Sequence, residues 1–252
     1  MSLAYFQRCF RNLCGFVICF SLVNGCDTIV DNDIPDRITA ERGGFIPEGI
    51  EYDSINSRFL SGSLADGTIY EITNSGQVIP VIIDESLIAT VGIEVDEERN
   101  RLLVANSQSF SDPGPGAAML GIYDLSSAEQ LAMIDLAAVV ENPAADAAYF
   151  ANDVTVSSAG TIFVTDTRLS VIYKVDQYYQ ASVLINFGTD SGLFLNGIEY
   201  HPAGYLIAVS SQGGELIKIP LNAPNRWSLV EVDFPAAGGD GLVVVTDITT
   251  GE

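Results

Sequence analysis

The chain has 252 residues, 48% of them hydrophobic and 17% charged, which allows a sizeable core in one domain. Its 33 acids against 11 Lys and Arg give a formal charge of −22. Such a field repels phosphate backbones and anionic headgroups, so nucleic acid is excluded as a partner and membrane contact is left to the N-terminal leader.

Residues 1–26 stand apart from the rest. They hold Arg8 and Arg11, no acid, an apolar run from Leu13 to Val23 and all four cysteines. A positive flank before a run this short reads as a signal peptide, which puts the mature protein outside the cytoplasm, periplasmic or secreted. Val23-Asn24-Gly25-Cys26 resembles the bacterial lipoprotein box, making Cys26 a lipidation candidate and the membrane contact a lipid anchor. A plain cleaved signal and an uncleaved anchor remain open beside it. Cys9, Cys14 and Cys19 leave with a cleaved leader, so the mature domain has no disulfide framework. Nine cations then face 33 acids, a net charge of −24.

Residues 27–45 are acidic and polar and read as a tether or a closing strand. From residue 46 to 252 the chain repeats. Glu48-Gly49-Ile50-Glu51, Val91-Gly92-Ile93-Glu94, Asn152-Asp153-Val154-Thr155, Asn196-Gly197-Ile198-Glu199 and Asp240-Gly241-Leu242-Val243 begin 43, 61, 44 and 44 positions apart. Each opens a run of short strands with period-two alternation, and no stretch sustains a helical period. A period of ~40–50 residues built from short strands is the signature of a β-propeller. The expected fold is all-β, with four-stranded blades.

Blade one runs through strands near residues 58–64, 68–72 and 77–83, with Ala65-Asp66-Gly67 as a hairpin. Blade two carries two insertions, a Pro/Gly/Ser loop at 107–116 and an Ala-rich stretch at 137–149, which account for the long interval. They are either a lid over the site or tolerated surface loops. Blades three and four are regular. Blade five starts at Asp240 and has little more than one strand before residue 252, so the expected ring is incomplete, truncated within blade five. An open ring leaves a sheet edge exposed.

Inner strands of a propeller line its axis, so residues at the same phase converge there. Glu48, Val91, Asn152, Asn196 and Asp240 share that phase: two carboxylates, two amides and one apolar sector. An oxygen-only set suits a hard divalent cation, Ca²⁺ first, with Mg²⁺, Mn²⁺ or Zn²⁺ as substitutes. Burying Glu48 with Asp240 and no cation costs on the order of several kcal/mol, or drives one of them to protonate. The competing reading is that Asn-Gly and Asp-Gly are ordinary turn dipeptides. His201, Arg58, Arg101, Arg168 and Lys174 read as solvated surface, and Trp227 as packing.

Pro47-Glu48-Gly49, Ala151-Asn152-Asp153, Leu195-Asn196-Gly197 and Gly239-Asp240-Gly241, in that order, resemble the senescence-marker-protein/gluconolactonase (regucalcin-like) family. Paraoxonases and strictosidine-synthase-like propellers are more distant relatives of it. The resemblance spans residues 46–245. It implies a six-bladed propeller with an axial divalent cation on Glu48, Asn196 and Asp240. It further implies Asn152 at the metal or the substrate, Asp153 as an orienting group, and Asp240 as the base that activates water against a lactone or ester. The paraoxonase His pair has no counterpart, since the chain has one His. A non-catalytic propeller that binds a ligand or partner protein at the same face, and an inactive fragment, are the rival expectations.

Overall fold

The structure, a computed structural model, describes residues 34–108, 114–233 and 236–245. The described residues belong to one compact unit, which begins at Ile34. The signal peptide, Cys26 and the start of the 27–45 tether therefore lie outside the described residues. Among those described, no helix is long and apolar enough to cross a membrane.

Residues 47–230 form sixteen strands in four antiparallel meanders. The first is β1 (Pro47–Asp53), β2 (Arg58–Ser63), β3 (Ile69–Ile72) and β4 (Val78–Ile82). The second is β5 (Ala89–Asp96), β6 (Arg101–Ser107), β7 (Gly116–Asp124) and β8 (Gln130–Asp135). The third is β9 (Tyr149–Val156), β10 (Ile162–Asp166), β11 (Val171–Val175) and β12 (Ala181–Asn186). The fourth is β13 (Leu195–His201), β14 (Tyr205–Ser210), β15 (Leu216–Pro220) and β16 (Ser228–Val230). The hairpins fall where the sequence places them. The two insertions of the second meander meet in a short parallel bridge, Gly116 with Tyr149 and Ala117 with Phe150, which joins the second and third sheets. A single 3₁₀ turn, Ala137–Val139, is the helix of the Ala-rich insertion. Residues 240–245 form no strand.

Alternation along the strands builds the core. In β6, Leu102 and Val104 face the first meander, packing with Leu60, Ile69 and Ile82, while Leu103 faces the third, with Val154 and Val164. In β10, Ile162 and Val164 point back to the second meander and Phe163 points forward to Ile198, Leu206 and Ile217. Side chains on opposite faces of one strand thus belong to different cores, which stacks the sheets in sequence order.

Two arginines read from sequence as surface are structural. Arg101 is 6% exposed and its guanidinium meets Asp96 at 2.5 Å. Arg58 pairs with buried Asp53 at 2.9 Å and donates to Leu125 O of the next sheet at 3.1 Å. Both pairs close the turn after an inner strand, five residues apart in sequence, and the sequence reading missed them because a charge opening a strand carries no mark of burial.

Removing one partner of a buried pair strands the other charge. We expect Asp96→Ala to lower unfolding free energy by about 3–5 kcal/mol in urea titrations, and Asp96→Leu with Arg101→Met to recover most of that loss.

Candidate functional site

The lead dipeptide of each of the first four repeats sits at an irregularity in strand pairing. Register shifts fall between Glu48 and Ile50, between Thr90 and Ile93, opposite Val164–Asp166 at Asn152-Asp153, and between Leu195 and Ile198. A bulge sets two residues against one and re-aims the side chains at that point. It also lets neighbouring inner strands come very close. A methyl group on Gly49 would stand 2.5 Å from Val91 O, and one on Gly92 or Gly197 would run into Asp153 or the Asp240 carbonyl. Gly49 also has φ of +44°, which disfavours any side chain.

Hydroxyls tie these strands together. Thr165 Oγ1 donates to Asn196 O at 2.7 Å and accepts from Asp153 N at 3.1 Å. Thr167 Oγ1 donates to Leu195 O at 2.6 Å and accepts from Asn152 Nδ2 at 2.8 Å, leaving Asn152 Oδ1 as the available end of that amide. Asp153 takes the place that Gly holds in the other repeats. Its carboxylate accepts from Val154 N and, across the interface, from Ile198 N, both at 2.9 Å.

The result is an axial cavity of about 330 Å³. Glu48, Asn152, Asn196 and Asp240 all line it, as does Asp153, so four separate repeats bring the sequence-derived set together. Val91 does not line it. That side chain is 2% exposed, and Gly92, Ile93 and Glu94 form the second repeat's sector instead. Nor does any residue from 107 to 149, so the described parts of the insertions form no lid here. His201 is stacked on Tyr205 at 4.3 Å, away from the cavity, and Trp227 packs edge-on against Phe187 at 5.3 Å.

Three further carboxylates line the cavity, Glu51, Glu94 and Glu199. Sequence reasoning passed over them, although the signal was there: Gly-Ile-Glu occurs three times at the same phase. In the third repeat Thr155 fills that position and donates to Glu199 Oε1 at 3.5 Å. Among the described residues no Lys, Arg or His lines the cavity. Burial, then Asp240 and Asp153, pushes Glu48 up to about 7. Burial, then Glu199 and Asp153, pushes Glu51 up to about 7, and burial followed by Asp153 does the same to Glu199. Glu94 is raised well above its ordinary value by burial, then by Glu51 and Glu199. Asp153 rises to about 6, mainly by burial.

Whether these groups fit a cation turns on two observations. Asn196 Oδ1 is buried without a hydrogen-bond partner, and Glu48, in the same cavity, is raised first by burial and then by Asp240 and Asp153, with no positive charge among the described cavity walls. Among the described residues no three His, Cys, Asp or Glu side chains group tightly enough to share a metal, so any such site draws on the amides as well as the acids. The residues fit a hard cation on those terms.

No protein-family model matches this sequence, and no curated protein matches it either. Solved structures do. The gluconolactonase from Xanthomonas campestris superposes with a TM-score of 0.56 at 15% identity, over 81% of this chain and 66% of that one. The nidogen/laminin complex gives 0.56 at 14% identity, over 79% and 68%. Virginiamycin B lyase from Staphylococcus aureus gives 0.52 at 10% identity, over 81% and 76%. The fold is a β-propeller. At these identities the likeness speaks for the fold alone, which two enzymes and the nidogen/laminin complex share, and the meanders are its blades.

The raised acids set a pH dependence. Their folded values lie above the unfolded ones, so the stability they contribute is full below about pH 4.5 and is lost as pH rises through about 7. In chelator, the melting temperature should be higher at pH 5.5 than at pH 8. Millimolar Ca²⁺ should restore part of the loss at pH 8. A melting temperature indifferent to both would contradict the electrostatics of this cavity.

Proposed function

We propose that the axial cavity holds a divalent cation, Ca²⁺ first, on Glu48, Asn196 and Asp240 with Asn152 beside them, and that the protein hydrolyses lactones or related esters. The observation that carries this is the orphaned, buried Asn196 Oδ1 standing with mutually repelling carboxylates and, among the described residues, no cationic side chain. When bound, a divalent cation supplies Lewis acidity at the ester carbonyl and charge to offset the oxyanion.

The chain's own residues do the rest. Asp240 takes the proton as a water oxygen bonds to the carbonyl carbon, and returns it to the alkoxide oxygen as the acyl C–O bond breaks. Asn152, its amide nitrogen fixed by Thr167, orients the substrate through Oδ1. Asp153 fixes the inner strands of blades three and four against each other through Val154 and Ile198, which holds Asn152 and Asn196 in place. The gluconolactonase among the structural neighbours favours a lactone over a simple ester. We further infer that the ring has six blades, four of them the meanders described above. The leader carries the protein out of the cytoplasm, with Cys26 as the point of lipid attachment.

The test is a panel of lactones and aryl esters assayed on the full chain with added Ca²⁺, Mg²⁺, Mn²⁺ or Zn²⁺. Glu48→Gln and Asp240→Asn should each lower kcat/KM by at least about 100-fold, and each should abolish the cation-dependent rise in melting temperature. Asp153→Asn should lose less activity and more stability. Hydrolysis that is indifferent to Glu48→Gln and to chelator would overturn the proposal.

A further inference from the structure

A hydroxyl recurs at or just past the end of each blade's second strand: Ser63, Ser107, Thr167 and Ser211, spaced 44, 60 and 44 positions apart. Its partners differ from blade to blade. Ser107 Oγ donates to Ala151 O of the following blade at 2.8 Å, and Ser211 Oγ to Phe194 O at 3.4 Å. Ser63 Oγ accepts from Ala65 N at 3.3 Å. Of the four, only Thr167 meets the side chain of a lead residue. It accepts from Asn152 Nδ2 at 2.8 Å while donating to Leu195 O at 2.6 Å.

These two bonds cannot trade places. At the bulge between Leu195 and Ile198 the carbonyls of Leu195 and Asn196 are both met by blade three, through Thr167 and Thr165. A carbonyl only accepts, so the single hydroxyl proton of Thr167 is committed to Leu195 O and its oxygen has only lone pairs left for Asn152. The amide must then turn Nδ2 toward Thr167 and Oδ1 away from it. Thr167 and Asn152 are each 8% exposed and Leu195 is fully buried, so water cannot readily replace a lost partner here. Thr165 and Thr167 lie two residues apart, so one stretch of blade three grips successive carbonyls of blade four and the amide of Asn152 together.

We propose that Thr167 is a positioning residue that fixes the polarity of Asn152, so that the Leu195 carbonyl of blade four decides which end of blade three's amide faces the axial cavity. The orientation holds before any ligand binds; only its consequence for ligand choice rests on the cation reading above. Asn152 offers the cavity an acceptor, as the carboxylates around it do, and what it can hold is a cation or a donor hydrogen. Without the hydroxyl the amide is free to turn, and its Nδ2 end repels a cation.

The experiment compares Thr167→Val, which keeps the branched shape and removes the hydroxyl, with Thr167→Ser, which keeps the hydroxyl. Ser170→Ala controls for stability alone, since Ser170 Oγ donates to Leu193 O, a buried contact that involves no amide side chain. On the full chain in chelator, the Asn152 carboxamide signals are identified in nitrogen–proton correlation spectra by their loss in Asn152→Asp. Their exchange with solvent should be slow in the unaltered chain, in Thr167→Ser and in Ser170→Ala, and at least about tenfold faster in Thr167→Val. Calcium titrated by calorimetry should bind about 10–100-fold more weakly to Thr167→Val, with Thr167→Ser and Ser170→Ala close to the unaltered chain. If Thr167→Val does not fold, Thr167→Ala makes the same test. Free exchange of the Asn152 carboxamide in the unaltered chain overturns the proposal without any Thr167 variant. So does exchange unchanged by loss of the hydroxyl, or calcium affinity lowered as much by Ser170→Ala. The expected exchange pattern with no calcium bound by any form keeps Thr167 in its role and sinks the cation reading. Calcium bound equally by all forms, with Asn152 exchange indifferent to Thr167, does the reverse.

Discussion

Everything in this propeller follows from how closely the inner strands approach one another at the axis. Gly49 lies against the Val91 carbonyl, Gly92 against Asn152-Asp153, and Gly197 against the Asp240 carbonyl, each contact linking one repeat to the next. A Cβ at any of the three meets main chain or the fixed Asp153 side chain rather than a movable surface group, so the spacing of the blades is set there and the apolar cores fill in behind it. The one repeat without a glycine at this position shows the constraint from the other side. Asp153 takes it with a carboxylate that accepts from Ile198 N of the following strand, replacing a close contact by a hydrogen bond.

The same geometry forces the chemistry. Bulges that admit the close approach also turn the lead residues toward the axis, and the alternation of the strand brings the residue three beyond, or two beyond the glycine, to the same cavity. Polar residues at those phases are therefore collected whether or not they attract one another. Glu48, Glu51, Glu94, Asp153, Glu199 and Asp240 share one cavity with no basic side chain in its walls. Burial raises most of them first and their neighbours raise them further. A fold would not gain stability from such a collection, since apolar residues at Glu51, Glu94 and Glu199 would pack the axis at less cost. Retaining it makes sense where a positive charge or a shared proton completes it.

Much of this was legible in the sequence, and the limits of legibility are physical. The repeat was visible because a Gly stands at the close approach in four of the five repeats. Strand positions followed from alternation, and the meeting of Glu48, Asn152, Asn196 and Asp240 followed from phase alone. What the sequence hid were partnerships across blades. Thr165 and Thr167 read as ordinary strand residues, since nothing local announces that their hydroxyls hold carbonyls some thirty positions away. Arg58 and Arg101 read as solvated because a turn-proximal arginine is usually exposed, whereas here each neutralises an aspartate buried by the preceding inner strand. The three Gly-Ile-Glu glutamates were passed over although they repeat as regularly as the lead residues.

The comparison of Ile50 with Ile93 and Ile198 carries the argument one step beyond the axis. Identical residues at identical phases differ in exposure only through what lies in front of their sheet. For blades two to four that is another blade, packed tightly enough to leave leading-face side chains such as Val104 and Leu206 almost no exposed surface. For blade one it is a strap of extended chain, residues 34–46, which touches the sheet at Tyr70, Ile72 and Val78 O but cannot match the area of a four-stranded sheet.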